Sequence, residues 1–346
     1  MELFTASPKK AAALISTLME ISRAYDMNVE QFFLASLRAY QEMHNNYFEE
    51  FEELAEQFAI KQKWTRFPPP TRKELIETLR QLHGIEARVV DFSKYPELSG
   101  QRFIFLPGKP SQLLLNDQLD SSQHVYSIAL QIGYSELKIP KRIRTSPWKK
   151  FDSFEQVMDN FKASYFAGAL MINRFQAEEE VKEIFQSETW DGDAVLELLK
   201  RHEVTPETFL HRLSQILPGL FKITELHYLR FENVVGKNEI QLTKELNMPR
   251  TLVPSGVRLN EHYCRRWLPV SLLKDLEAEQ RKDKPQKILI RIQRAHFMES
   301  GDEVLFISIG RALRLSTKKN RCVSLGLRID KALKGKVKFL NDSEPF

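Results

Sequence analysis

Cysteine is nearly absent from this 346-residue chain, which has only Cys264 and Cys322. Two thiols exclude a disulfide framework and a four-cysteine zinc site, and they are too few for an iron–sulfur cluster. No apolar run approaches the roughly 18 residues of a membrane span. The opening MELFTASPKK has no apolar signal segment, so a soluble cytoplasmic protein without membrane contact is expected. No two of the eight histidines stand four apart, so the paired-histidine helix of zinc peptidases is missing. Neither G-x-S-x-G nor a phosphate-binding loop occurs, and neither cysteine has the surroundings of a nucleophile. There is no internal repeat and no low-complexity tract.

What is present is a globular composition, 42% hydrophobic and 28% charged. The net charge of +5 is unevenly spread. From Arg258 onward there are 20 Lys/Arg against 11 Asp/Glu, or +9, and the remainder has 31 against 35, or −4. A basic C-terminal third suits an anionic partner, such as a phosphate, nucleic acid or CoA-type ligand, or it is simply a lysine-rich surface. Lys331, Lys334, Lys336 and Lys338 alternate with apolar residues as on an exposed strand. Glu49, Glu50, Glu52, Glu53 and Glu56 form an acidic stretch that would repel DNA.

Apolar spacing gives a helix after Ser7-Pro8 and a second, long one from Asn28 to about Ile60. Together they form a helical hairpin, too long and acidic for a DNA-recognition helix. Prolines 68–70 mark a linker. Thr71 with Glu74 is a capping box opening a helix that Gly84 ends. A strand at 87–92, a hairpin (RFIFLP and QLLLN) and helices at 121–137, 153–171, 174–186, 193–201 and 206–214 follow. Beyond residue 222 the texture is β-rich (HYLRF, KILIRI, EVLFISI, CVSLGLRI), with a helix near 262–278. The expected fold is α+β in three parts. Residues 1–65 form a helical hairpin for dimerisation or spacing. Residues 66–222 form an α+β domain with a helical connection, and residues 223–346 form a β-rich basic domain.

Two stretches, LLLNDQLDSSQHVYSIALQIGYSEL and NFKASYFAGALMI, resemble the zincin-like domain of the ImmA/IrrE family. Ala129, Gly133, Ala163, Phe166, Ala167 and Leu170 keep the family pattern. The two histidine positions hold Leu130 and Tyr134, the general-base position holds Gln131 and the acidic-ligand position holds Asn160. The resemblance therefore implies a degenerate domain, a pseudo-peptidase without metal, since leucine cannot bind zinc and glutamine has no ionisable base.

VTPETFLHRLSQIL, HYLRF with Arg230, HYCRRW with Cys264 and Trp267, and ISIGRAL with Arg311 together resemble the sensory region of short-chain fatty acyl transcriptional regulators of the xenobiotic-response-element class. That family also has an N-terminal helix-turn-helix and a C-terminal cysteine cluster, neither readable here, so the chain is expected to be the sensory region of a longer regulator. The resemblance implies a homodimer that reaches DNA only through the missing helix-turn-helix. It also implies a short-chain acyl-CoA or CoA as effector and no other cofactor.

Arg230 and Arg311 are read either as halves of salt bridges or as grips on an anionic group. Trp267 and Tyr263 are core aromatics or a stacking surface for adenine. His211 packs or touches ligand, and Tyr134 and Asn160 line the old cleft. Two other function classes stay open, a hydrolase with an unrecognised site and a peptide-binding module using the former peptidase groove.

Overall fold

The computed structural model describes residues 29–64, 69–98, 100–147, 153–237, 239–247, 267–280, 288–297, 301–313 and 319–341. The expected first helix of the N-terminal hairpin, together with Tyr263 and Cys264, lies outside the described residues.

The expected long second helix is two helices, α1 (Val29–Met43) and α2 (Glu49–Lys61). Asn45 and Asn46 between them have φ of 50° and 52°, a left-handed conformation that asparagine tolerates and a helix cannot contain. The acidic stretch is not a uniform exposed face either. Glu52 is buried, and Arg174 donates to both Glu49 and Glu56.

The capping box of Thr71 and Glu74 opens α3 (Arg72–His83), which ends on left-handed Gly84. β1 (Ile85–Val90), β2 (Phe103–Leu106), β3 (Ser111–Asn116) and β4 (Thr145–Ser146) form a sheet in the order β1-β3-β2-β4. β1 and β3 are parallel, and the expected hairpin of β2 and β3 is antiparallel. α4 (Ser121–Glu136) is capped by Asp120 and α5 (Phe154–Met171) by Ser153. The two cross at Gly133, where a Cβ would come within 2.8 Å of the Ala163 carbonyl. The family pattern keeps glycine there because nothing larger fits between the helices.

α6 (Arg174–Gln186), α7 (Gly192–Arg201) and α8 (Pro206–Phe221) follow. α8 begins with Thr205 as cap and Pro206 in its first turn, but it runs past the expected end at residue 214 and contains Pro218. Proline removes the amide that would serve the Ser214 carbonyl. The Asn46 side chain points at that carbonyl from 3.4 Å and donates to the Ser214 hydroxyl at 3.1 Å.

The second sheet is antiparallel in the order β6-β5-β9-β8-β7. Its strands are β5 (Leu226–Val234), β6 (Ile240–Asn247), β7 (Leu289–His296), β8 (Glu303–Ala312) and β9 (Lys319–Arg328). β6 was not anticipated from sequence. α9 (Leu268–Gln280) covers one face with Leu272, Leu273 and Leu276 against Leu229, Phe231, Phe306 and Cys322. The other face, bearing Tyr228, Leu305, Ile307, Val323 and Leu325, joins a core that runs unbroken from Phe48 to Leu340. That core passes residues 65 and 222 without interruption.

The lysine-rich end is not a strand. α10 (Lys331–Lys334) is capped by Asp330 and followed by a 3-10 turn over Lys338–Asn341. Leu333, Val337, Phe339 and Leu340 are buried, so the alternation comes from a compact turn that tucks its apolar side chains inward. Among the described residues no helix is long and apolar enough to cross a membrane.

Candidate functional site: a basic cleft beside a zincin-like helix pair

The cleft lies where α8 and the first sheet meet the inner face of the second sheet. A cavity of about 300 Å³ is lined by Leu130 of α4 and by Asn160 and Ser164 of α5. Glu207, Thr208, His211 and Arg212 of α8 also line it, as do Arg102, Lys244, Arg311 and Arg321. One wall of the cavity is therefore formed by α4 and α5, and a charged sheet face is the other.

The two sequence positions that should bind zinc through histidine hold side chains of a different kind. Leu130 is buried and offers no donor, and the Tyr134 hydroxyl donates to Asn160 Oδ1 at 3.0 Å. Burial pushes the Tyr134 phenol well above its ordinary range, so it stays protonated. Gln131 is buried, with its backbone carbonyl accepting from Arg142 at 3.2 Å. A leucine, an amide and a hydrogen-bonded phenol do not make a zinc site. Among the described residues no group of three His, Cys, Asp or Glu is placed to hold a metal. Cys322 is buried, and burial raises its thiol far above the range of a nucleophile.

Strand register gathers the cations. Arg230 of β5 stands directly opposite Lys244 of β6, and Arg311 of β8 stands opposite Arg321 of β9. Like charges directly opposed on one sheet face are destabilising, so these pairs need counter-ions. Glu207, in the first turn of α8, accepts from Arg230 at 2.6 Å and from Arg321 at 2.7 Å. Arg321 also bonds Glu232 at 2.6 Å, and Arg311 bonds the α4 cap Asp120 at 3.1 Å. Burial alone would raise the Glu207 carboxyl, but Arg230, Arg321 and Arg102 outweigh it and hold the group well below the usual carboxylate range.

Arg102, just before β2, faces this group from the opposite wall. No carboxylate is bonded to its guanidinium among the described residues, and burial pulls its ionisation down despite the attraction of Glu207. Burial likewise pushes Lys244 down to about 8, with Arg230, Arg321 and Arg102 working in the same direction against Glu207. Burial and the nearby Lys244 keep His211 well below its ordinary range, and its ring stands edge-on to Tyr228 at 5.4 Å.

The structure thus brings Arg311, His211 and Asn160 to one cavity, with Arg230 joined to it through Glu207 and Tyr134 through Asn160. Trp267 is elsewhere. It packs against Phe231 and Phe306 under α9, and the sheet separates it from the arginines. Arg102, Lys244, Arg321, Glu207 and Asp120 were not singled out from sequence. The strand alternation in KEL and RCV hints at Lys244 and Arg321, but only strand pairing reveals that they converge.

The fold is α+β, with a zincin-like part that lies beside the charged cleft. Residues 81–214 match the family model described as the IrrE N-terminal-like domain, of peptidase family M78. The zincin-like reading of the middle of the chain and the α+β expectation are borne out. A solved Mycobacterium tuberculosis transcriptional regulator is similar in fold, with a TM-score of 0.54 at 18% identity. The likeness covers 87% of this chain and 95% of that one. The comparison with curated proteins finds no match.

Proposed function

We propose that this chain is the effector-sensing and dimerisation region of a bacterial transcriptional regulator. Its basic cleft takes an anionic small molecule, a short-chain acyl-CoA or CoA, and its zincin-like domain is a pseudo-peptidase. The observation that carries the reading is a charge imbalance in a built cavity. Arg102, Arg230, Lys244, Arg311 and Arg321 face Asp120, Glu207 and Glu232, and five cations less three anions leave +2. Opposed like charges lower fold stability, so their retention around a cavity is explained by a ligand that supplies the missing negative charge. The volume is at the lower end for ligand sites, so the cleft would hold one end of a CoA ester and not the whole molecule.

Calorimetric titration with CoA, acetyl-CoA and propionyl-CoA tests this. Arg102→Ala or Arg321→Ala should weaken binding by roughly ten- to a hundred-fold, the worth of one charged hydrogen bond. No heat at high micromolar concentration from the wild-type chain defeats the effector assignment. Elemental analysis should find no zinc that survives chelation, and one zinc per chain would overturn the pseudo-peptidase assignment. Val29, Leu34, Met43 and Ile60 are apolar and exposed on or beside the N-terminal helices, which supports a dimer built there. Light scattering of the whole chain should give twice its mass, and a monomer refutes that assignment.

A further inference from the structure

Lys244 is in an unusual position for a lysine. It lies on β6 directly across from Arg230 and lines the cavity with Arg102 and Arg321. Its Nζ sits 5.5 Å from the centre of the Tyr228 ring. No carboxylate is bonded to it among the described residues, because Glu207 is engaged by Arg230 and Arg321. An amine enclosed on one side by an aromatic ring and flanked by guanidinium groups is the arrangement that turns a lysine into a nucleophile for carbonyl compounds. The arginines around it are suited to a carboxylate, and the 300 Å³ cavity is the size of a small metabolite.

We propose that Lys244 forms a Schiff base with a small oxo acid, whose carboxylate is held by Arg102 and Arg321. The inference rests on the reading of this cleft as the effector site, and it adds a second, covalent class of ligand. The amine lone pair attacks the carbonyl carbon and a carbinolamine forms. Loss of water then leaves a C=N bond. The carbonyl oxygen leaves in that water together with the two amine protons, and no electrons are gained or lost overall. The lysine pushed down to about 8 fits this chemistry. Near pH 7.5 its neutral fraction is about two-hundred-fold larger than that of a free lysine.

The experiment uses the full chain with pyruvate and sodium cyanoborohydride, followed by intact mass and peptide mapping. The expected result is one reduced adduct per chain, at Lys244, formed far faster than at exposed lysines such as Lys73 or Lys331. Its rate should rise with pH through about 8, the range set by burial and by Glu207 and His211 of α8, Arg230, Arg321 and Arg102 around the amine. Lactate, which lacks the carbonyl, should give no adduct. Acetone, which lacks the carboxylate, should react slowly and lose nothing further in Arg321→Ala. Lys244→Arg keeps the charge and should remain folded by circular dichroism while losing the adduct.

Labelling spread evenly over surface lysines, or equal labelling of Lys244→Arg, overturns the proposal. If CoA esters bind by calorimetry but no adduct forms, the covalent inference falls and the effector reading stands. An adduct without CoA-ester binding gives the reverse, and failure of both measurements removes both.

Discussion

Arg212 offers the sharpest test of how the N-terminal helices are held. It is 1% exposed, and its partner Glu52 of α2 is 3% exposed. The two guanidinium amines of Arg212 donate to the two Glu52 oxygens, each at 2.6 Å. Arg212 Nε donates to the Ile172 carbonyl at 3.0 Å, and the Tyr165 hydroxyl donates to Glu52 Oε1 at 2.7 Å. Replacing Arg212 by Met leaves a buried carboxylate with one phenol as partner. Removing one member of a buried pair costs about 3–5 kcal/mol, a large share of a typical 5–15 kcal/mol total. Glu52→Gln should also destabilise, since it strands the guanidinium. The double variant Glu52→Gln, Arg212→Met buries no net charge, so it should lose less than the sum of the singles by about 0.5–3 kcal/mol. Urea denaturation of the four proteins at neutral pH measures this. Losses under about 1 kcal/mol in both singles, or strict additivity, would refute the claim that the pair pins α2 to α8.

Two titrations follow from the same physics. Glu207 is a carboxyl held below its ordinary value of 4.5 although burial opposes it. Its contribution to stability is therefore fully present above about pH 4.5 and lost as pH falls through its lower folded value. The stability gap between wild type and Glu207→Gln should be constant near neutrality and close in acid, and a gap independent of pH argues against the ion-pair cluster. His227 is a buried histidine pushed down to about 3 by burial, so the unfolded chain takes up a proton first, near pH 6.5. Stability should fall from about pH 6.5 toward 3 by roughly 1.4 kcal/mol per unit at most. His227→Phe should flatten that limb in acid denaturation monitored by fluorescence, and an unchanged slope would locate the acid sensitivity elsewhere.

Local chemistry made much of the fold legible. Thr71 with Glu74, Gly84, Ser153 and Thr205-Pro206 each mark a helix end through a hydrogen bond that the sequence displays. Asn45 and Asn46 carried the break between α1 and α2, but apolar spacing on both sides masked it. β6 went unread because IQLTKELN mixes charge into an edge strand. The zincin-like helix pair was readable because Gly133 is dictated by helix crossing. The cleft itself was not, since it depends on Arg311 facing Arg321 and Arg230 facing Lys244. Those pairings join residues 10 and 14 positions apart, and a slip of one residue would turn each strand's charges to the other face. Arg102 is still more distant, coming from the first sheet.

The same long-range assembly bears on where the chain can be divided. A boundary near residue 222 separates texture, helical before and β-rich after, but it also cuts between α8 and the sheet face that α8 covers. Leu226, Tyr228, Leu305, Ile307, Ile309, Val323, Leu325 and Leu327 on that face are buried in the shared core. Freed of the helices they would meet water. At about 1.5–3 kcal/mol for each fully buried apolar side chain, their exposure outweighs the net stability of an ordinary domain. A fragment of residues 223–346 should therefore aggregate or remain unfolded, even though it keeps four of the five cleft cations, Arg230, Lys244, Arg311 and Arg321. It also lacks Glu207, so its opposed like charges would stand without their shared counter-ion. Expression of the fragment alone, followed by denaturant titration, decides the matter. A soluble fragment with a cooperative transition would make the β-rich part an autonomous domain and would reduce the contact with α8 to a docking surface.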